Sequence, residues 1–239
     1  MKTGHSRRRV IEINSNKIPT LKEMGIETYS LEEIEEVLKD KKVIMVTGHR
    51  PDKLWGYNYN SYNQPKEYQR LREKIKEVIE ASKAQVAISG MALGVDTIFT
   101  QECIKLSRIE KIIAAIPCYG QESIWRNESK KVYYELLKNE KVMPYHVARE
   151  YYNNNKSLLN NRNEWMVEQT KKCGGIVLAI WDGSEGGTGN CVQCAKEHGI
   201  SPIIINPREI ESKLREMSQK EDSKVNTTPK RTRIKGSDL

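Results

Sequence analysis

The sequence predicts an α/β protein with a Rossmann-like open parallel sheet and helices on both faces. Short apolar runs alternate with segments of helical periodicity, which is typical of βαβ units in a parallel sheet. Three of these runs also end in glycine-containing turns, at 47–56, 89–96 and 182–190. Ligands of open parallel sheets bind beyond the carboxyl ends of the strands, so we expect the three turns to meet at one site.

Six strands are predicted, each a short apolar run bounded by polar or turn-forming residues. The run GIVLAIW at 175–181 is the most apolar of them. We expect right-handed crossovers between consecutive strands. The predicted strands cover 42–47, 85–89, 111–117, 141–145, 175–181 and 202–206.

The predicted helices precede the first strand and fill the segments between strands. Ser30 and Glu33 form a capping-box pattern for a helix over 31–40. Pro65 opens a segment in which Leu71 and Ile75 fall on one helical face. The remaining helices are predicted over 66–81, 95–106, 123–138, 157–172 and 190–198.

Three segments are expected along the chain. Residues 1–41 form an N-terminal extension with one helix, 42–208 form the Rossmann-like domain, and 209–239 form a helix remnant and a basic disordered tail. The last twenty residues carry six Lys or Arg against three acids. Such a tail can contact nucleic acid weakly through its charge, although a merely solvated tail is the interpretation that its composition favours.

Composition excludes several classes of protein. No stretch approaches the roughly 20 apolar residues of a membrane helix, and the basic N-terminus lacks the apolar core of a signal peptide. The odd count of five cysteines argues against a disulfide framework. We therefore expect a cytoplasmic protein without membrane contact. The lone pair Cys191 and Cys194 is interpreted as helix packing, so no metal site is predicted.

The turn DGSEGGTGN at 182–190 is the strongest functional signal. Glycines at 186, 187 and 189 permit positive φ and let backbone N–H groups approach an anion. The positive end of the following helix favours the same ligand. Gly186, Gly187, Thr188, Gly189 and Asn190 are predicted to bind phosphate, although such turns also occur without a ligand.

The turn SGMALGVD at 89–96 offers a second set of contacts. Backbone groups near Gly90 and Met91 are candidates for phosphate binding, flanked by Ser89 and Gly94. Asp96 is predicted either to hold a ribose hydroxyl or to cap the following helix.

The turn TGHRPDKLWG at 47–56 provides the third set, Thr47, Gly48, His49 and Arg50. Arg50 suits bidentate recognition of phosphate, and His49 can act as an acid, a base or a hydrogen-bond donor. The aromatic residues that follow are candidates for stacking on a base, or for packing of the loop. They are Trp55, Tyr57, Tyr59 and Tyr62.

TGHRPDKLWG followed by SGMALGVD resembles the SLOG superfamily, which unites the Smf and Lonely Guy (LOG) proteins, and most of all its YpsA-like branch. The resemblance covers about residues 42 to 206. It implies a Rossmann-like fold with a nucleotide-ligand site at the strand ends. Among members, LOG enzymes are phosphoribohydrolases, Smf-type proteins bind single-stranded DNA, and others sense nucleotide signals.

The LOG catalytic pattern is matched only in part. Arg162 and Met166 stand at the spacing of its RKxxM segment, and the loop glycines match, but Gln193 or Val192 falls where the catalytic glutamate is expected. Four acids remain as candidates for stabilising a sugar cation beside Arg162. They are Asp96, Asp182, Glu185 and Glu164.

Three functions follow as hypotheses. The first is a sensor or sequestering protein that binds a nucleotide or nucleotide-derived small molecule and requires no other cofactor. The alternative is an N-glycosidase or deoxyribosyltransferase-like enzyme that uses Asp96, Arg162, Asp182 or Glu185. The second alternative is a single-stranded nucleic-acid-binding accessory protein. A homodimer or higher homo-oligomer is expected from the resemblance alone.

Overall fold

Six parallel strands form a single sheet in the computed structural model, which describes residues 20–152 and 156–226, with side chains to Lys220. The order across the sheet is β4-β3-β2-β1-β5-β6. The strands are β1 (Val43–Gly48), β2 (Val86–Ser89), β3 (Lys111–Ile116), β4 (Val142–His146), β5 (Ile176–Ile180) and β6 (Ile203–Ile205). All six predicted strands are confirmed.

The described residues also form seven α-helices and two short 3₁₀ turns, Pro51–Lys53 and Asn58–Asn60. The helices are α1 (Leu31–Leu38), α2 (Lys66–Ser82), α3 (Val95–Lys105), α4 (Asn127–Leu137), α5 (Lys156–Lys172), α6 (Gly187–Glu197) and α7 (Pro207–Asn226).

The helices cover both faces of the sheet, because alternate strand residues point to opposite sides. Ile44 and its equivalents pack with apolar residues of α2, α3, α4 and α7. Met45 and its equivalents pack with α1, α5 and α6. The predicted α/β fold with helices on both faces is confirmed.

The chain reverses direction across the sheet between β1 and β5. Strands β1 to β4 run outward to one edge, and the chain then returns through α5 to place β5 on the other side of β1. Gly48 at the end of β1 pairs with Ile180 at the end of β5. The crevice beyond these two strand ends is therefore the topological switch point, where open α/β sheets bind ligands.

The N-terminal extension begins, within the described part, at Thr20. Helix α1 has the predicted capping box, in which Ser30 Oγ accepts from the Glu33 N–H (3.3 Å) and Glu33 Oε2 accepts from the Ser30 N–H (2.8 Å). The Tyr29 N–H donates to the Pro144 carbonyl (2.9 Å), so this segment lies along the edge strand β4.

Two helices begin three or four residues away from their predicted starts. Helix α4 begins at Asn127 rather than near 123, and α6 begins at Gly187, three residues before the predicted start. Helix α7 continues through 220–226, where the sequence predicts a disordered tail, and Ile210 near its start lies in the core. Residues 227–239 lie outside the described residues. No described helix is both long enough and apolar enough to cross a bilayer.

Candidate functional site

The three glycine-containing turns meet in a cavity of about 570 Å³ at the carboxyl ends of β1 and β5. Eleven of the residues predicted to form the site line it. They are Thr47, Gly48, His49, Arg50, Asp96, Arg162, Glu185, Gly186, Gly187, Thr188 and Asn190.

The first turn of α6 forms one wall of the cavity. Gly186 precedes the helix with φ of +138°, and its carbonyl accepts the first helical hydrogen bond, from the Asn190 N–H (2.9 Å). The N–H groups of the first turn therefore have no partner within the helix. A Cβ atom at Gly187 would meet no atom within 4 Å, so the space above this turn is open.

Thr188, which carries the only hydroxyl of the first turn of α6, also lines the cavity. Its side chain is 8% exposed and makes no hydrogen bond with any other residue that the structure describes. Gly189, which was also predicted to bind the ligand, does not line the cavity. A Cβ atom there would lie 3.1 Å from the Ser184 carbonyl, so Gly189 permits close packing of the turn.

Several backbone groups of the second turn, where phosphate binding was predicted, make hydrogen bonds within the protein. Met91 is buried with φ of +54°, and its N–H donates to Ser89 Oγ (3.2 Å). The Gly90 carbonyl accepts from Arg162 Nη1, and a Cβ atom at Gly90 would overlap the guanidinium. Ser89, Gly90 and Met91 therefore hold Arg162 and their own turn, and none of them lines the cavity.

Gly94, which was predicted to flank the ligand, packs against the first turn and does not line the cavity. It precedes α3 with φ of +88°, and a Cβ atom there would lie 2.8 Å from the His49 carbonyl. Glycine therefore lets the first and second turns lie against each other.

Arg162 and Asp96 form the floor of the cavity, and both are buried. Arg162 Nη1 lies 4.0 Å from Asp96 Oδ2, which also accepts the Ala92 N–H (3.1 Å). Burial raises the pKa of Asp96, and the neighbouring Arg162 charge opposes that rise. Burial lowers the pKa of Arg162, against the effect of Asp96.

One nitrogen of Arg162 remains for a ligand. Nε donates to Asn163 Oδ1 (3.0 Å) and Nη1 to Gly90, whereas Nη2 makes no hydrogen bond with another described residue. Among the described residues, no fully buried side-chain nitrogen or oxygen lacks a partner. Since Arg162 lines the cavity, Nη2 is open to it.

Asp182, which was also predicted to belong to the site, contacts His49 and does not itself line the cavity. His49 Nε2 lies 2.8 Å from Asp182 Oδ1, and Arg208 Nη2 lies 2.5 Å from Oδ2. Hydrogen bonds from Ser184, together with those from His49 and Arg208, hold the pKa of Asp182 well below its usual range. Arg208 was not predicted, because no motif connects it to the turns.

Two basic side chains of the first turn reach the rim. Arg50 is exposed and makes no hydrogen bond with any residue in the described ranges. Lys53, which the sequence did not single out, donates to Ser184 Oγ (3.1 Å) and to the Glu185 carbonyl (2.9 Å). Glu185 itself is exposed at the rim.

The aromatic residues at 55–62 do not line the cavity, so the packing alternative is correct for most of them. Trp55 packs edge-on against Tyr68 (5.0 Å), and buried Tyr59 also contacts Tyr68. Tyr57 lies under the guanidinium of Arg126. The aromatic residue of the cavity wall is Tyr152, which no motif indicated.

The remaining wall is one face of α5. Lys156, Leu159, Asn160, Asn163 and Met166 line the cavity at spacings of three or four residues. The sequence predicted this helix and the place of Arg162 in the site, but not the contributions of Lys156, Asn160 and Asn163.

The cysteines do not group with other metal-ligating side chains among the described residues. Cys191 is buried in α6, where desolvation raises the pKa of its thiol to about 11, opposed by a hydrogen bond with Thr47. Within the described ranges, no three His, Cys, Asp or Glu residues lie close enough to hold a metal ion.

The model of the YpsA family, described as the YspA SLOG family, matches residues 44–198. The chain belongs to this SLOG family. The match begins in β1 and ends after α6, so the family domain contains all three turns.

Among curated proteins, the chain is similar to the uncharacterized SPbeta prophage-derived protein YoqJ of Bacillus subtilis (strain 168). The two are 27% identical over 140 residues, which cover 54% of this chain and 79% of YoqJ.

Among solved structures, the chain is similar to DNA processing protein A of Helicobacter pylori, described for its single-stranded DNA binding mode. The TM-score is 0.50 at 18% identity, covering 77% of this chain and 76% of the other. The Streptococcus pneumoniae protein of the same name gives a TM-score of 0.39 at 19% identity, covering 70% and 60%. The Helicobacter pylori likeness supports the Rossmann-like fold.

Proposed function

We propose that the protein binds a nucleotide or nucleotide-derived small molecule in this cavity, as a sensor or a sequestering protein. One observation carries the proposal. The free N–H groups of the first turn of α6, the Thr188 hydroxyl and Arg162 Nη2 all border one cavity at the switch point of the sheet. Backbone donors at a helix N-terminus and a guanidinium are groups that recognise phosphate.

The charges around the cavity agree with an anionic ligand. Arg50, Lys53, Lys156 and Arg162 border it, against the acids Asp52, Asp96 and Glu185. Asp96 is paired with Arg162 at the floor, which leaves the cations of the rim to attract phosphate.

Binding without cleavage is favoured by the position of Gln193. Gln193 or Val192 falls in the place of the expected catalytic glutamate, and neither is a carboxylate. Gln193 is exposed on α6 and donates to Glu197 Oε1 (2.9 Å). Asp182 is withdrawn behind His49. These placements leave Asp96 as the buried carboxylate of the cavity wall.

Asp96 keeps an N-glycosidase as the second candidate function. Its carboxyl group is buried at the cavity floor, and burial raises its pKa. Release of free base from nucleoside monophosphates, followed by chromatography, tests this candidate. Release of base by the wild type but not by Asp96→Asn supports cleavage. If the wild type releases no base from any nucleotide, the N-glycosidase function is ruled out.

Single-stranded nucleic acid is a third candidate, motivated by the Helicobacter pylori neighbour and the basic residues near the C-terminus. Its test is the affinity for a labelled single strand as salt is increased. Phosphate contacts release counterions, so true binding weakens steeply with salt. Binding that persists after deletion of 227–239 assigns it to the folded domain.

The decisive experiment for the proposed function is a substitution at Gly187. Gly187→Asp fits sterically and places a negative charge at the N-terminus of α6, which does not destabilise the helix. It repels phosphate, so we expect a nucleotide that stabilises the wild type to lose at least about tenfold in affinity. Gly187→Ala is the matched control without charge.

Thermal shift with a panel of nucleotides, cyclic dinucleotides and ADP-ribose compounds provides the measurement, because a bound ligand raises the melting temperature by mass action. No shift with any compound, or equal shifts in Gly187→Asp and the wild type, contradicts the proposed site. The expected homo-oligomer and the cytoplasmic location stay predictions, and light scattering tests the former.

A further inference from the structure

Tyr152 is fixed at the mouth of the cavity by backbone contacts with the turn after β3. The Tyr119 N–H donates to the Glu150 carbonyl (2.8 Å), and the Tyr152 N–H donates to the Tyr119 carbonyl (2.8 Å). Tyr119 and Tyr151 form a parallel bridge. The segment that carries Tyr152 is therefore extended and tied to the sheet.

An extended backbone points successive side chains to opposite sides. The Tyr151 ring packs on Tyr119, with centroids 5.4 Å apart, whereas Tyr152 lines the cavity. Tyr152 is partly exposed, and its ring makes no contact with another aromatic ring in the part of the chain that the structure describes. Tyr152 therefore contributes partly exposed surface to the cavity.

Helix α5 forms the cavity wall between Lys156 and the level of the first turn of α6. Asn163 Nδ2 lies 3.4 Å from the Gly187 carbonyl, so that level of α5 faces the α6 turn. Lys156, the first residue of α5, lies seven residues earlier, which is about 10 Å along the helix axis. Tyr152 precedes Lys156 by four residues. Lys156 and the α6 turn therefore border different ends of the α5 wall, and Tyr152 lines the same cavity.

Asn160 lies between these two levels. Its side chain is exposed to the cavity and makes no hydrogen bond with any other described residue. A free amide presents a donor and an acceptor side by side, which matches the edge of a nucleobase.

We propose that the cavity reads a nucleobase: the base stacks on Tyr152 and its edge pairs with Asn160, while the phosphate lies at the first turn of α6. This inference rests on the proposed function and narrows it to ligands that carry a planar base as well as a phosphate. Stacking on an aromatic face provides affinity, and the amide provides discrimination among bases.

The test compares two kinds of probe that share a ribose 5-phosphate: nucleotides, which carry a base, and ribose 5-phosphate, which does not. Calorimetry measures the affinity of the wild type for the four nucleoside 5′-monophosphates and for ribose 5-phosphate. Tyr152→Ala is expected to weaken the best nucleotide by about 5- to 100-fold and to leave ribose 5-phosphate within about twofold. Tyr152→Phe retains the ring and is expected to bind as the wild type does.

Tyr62→Ala is the control, because Tyr62 is fully exposed and lies outside the cavity. Asn160→Ala is expected to reduce the affinity ratio between the best and worst base at least about threefold. An equal loss of both probes in Tyr152→Ala overturns the inference, as does a normal affinity for the best nucleotide. A wild type that binds neither these probes nor any compound of the thermal-shift panel contradicts the proposed function itself. Tight binding only to a single-stranded oligonucleotide also overturns the free-nucleotide assignment.

Discussion

Arg162 connects the floor of the cavity to two different parts of the chain. It lies on α5, donates to the Gly90 carbonyl 72 residues away, and faces Asp96 at the start of α3. The resemblance to LOG enzymes indicated Arg162, but the contact with Gly90 follows only from the folded chain. Glycine is required at 90 because any Cβ atom would displace the guanidinium.

Removing the Arg162 charge is expected to destabilise the fold. Arg162→Met leaves the buried Asp96 carboxylate without its cation, which costs about 3–5 kcal/mol in the free energy of unfolding. The double variant Arg162→Met with Asp96→Asn removes both charges and is expected to recover part of that loss. Urea denaturation measures both. If the double variant is as unstable as the sum of the two single variants, the pair is not coupled.

Asp182 makes stability depend on pH through its hydrogen bonds with Ser184, His49 and Arg208. Its folded-state pKa lies below the ordinary value of 3.8. The stabilisation is therefore fully present above about pH 5 and is lost as pH falls through the folded pKa. The melting temperatures of the wild type and Asp182→Asn should differ most at neutral pH and converge toward pH 3. A constant difference across this range contradicts the assignment.

At the scale of elements, α7 braces two of the three turns. Arg208 contacts Asp182 of the third turn, and Glu211 Oε1 accepts from Trp55 Nε1 of the first turn (2.6 Å). Ile210, between them, is 1% exposed in the core. The sequence predicted only a helix remnant here, because its pattern does not show what an isolated apolar residue packs against.

Truncating Ile210 tests this brace. Ile210→Ala is expected to cost about 2–5 kcal/mol in the free energy of unfolding, since it removes buried methyl groups and leaves a cavity. Met217→Ala on the same helix is the control, because Met217 is 58% exposed. Chemical denaturation of both variants provides the comparison. Equal, small effects would show that α7 is not packed on the domain.

At the scale of the whole molecule, the meeting of the three turns was predictable because the carboxyl ends of parallel strands share one edge of the sheet. The atoms that each turn offers to a ligand were not. Met91 and Gly90 use their backbone groups internally, and Tyr152 enters from a segment without a glycine motif. Such assignments depend on contacts between distant residues, which periodicity and spacing do not contain.

The central claim is that the first turn of α6 and Arg162 hold the phosphate of a small nucleotide ligand. Its most direct test is NMR titration of ¹⁵N-labelled protein with the nucleotide that gives the largest thermal shift. We expect the amide signals of Gly187 and Thr188, together with the Arg162 Nε–H signal, to move saturably with added nucleotide. Signals that move only in 227–239, or none that move, would contradict the claim.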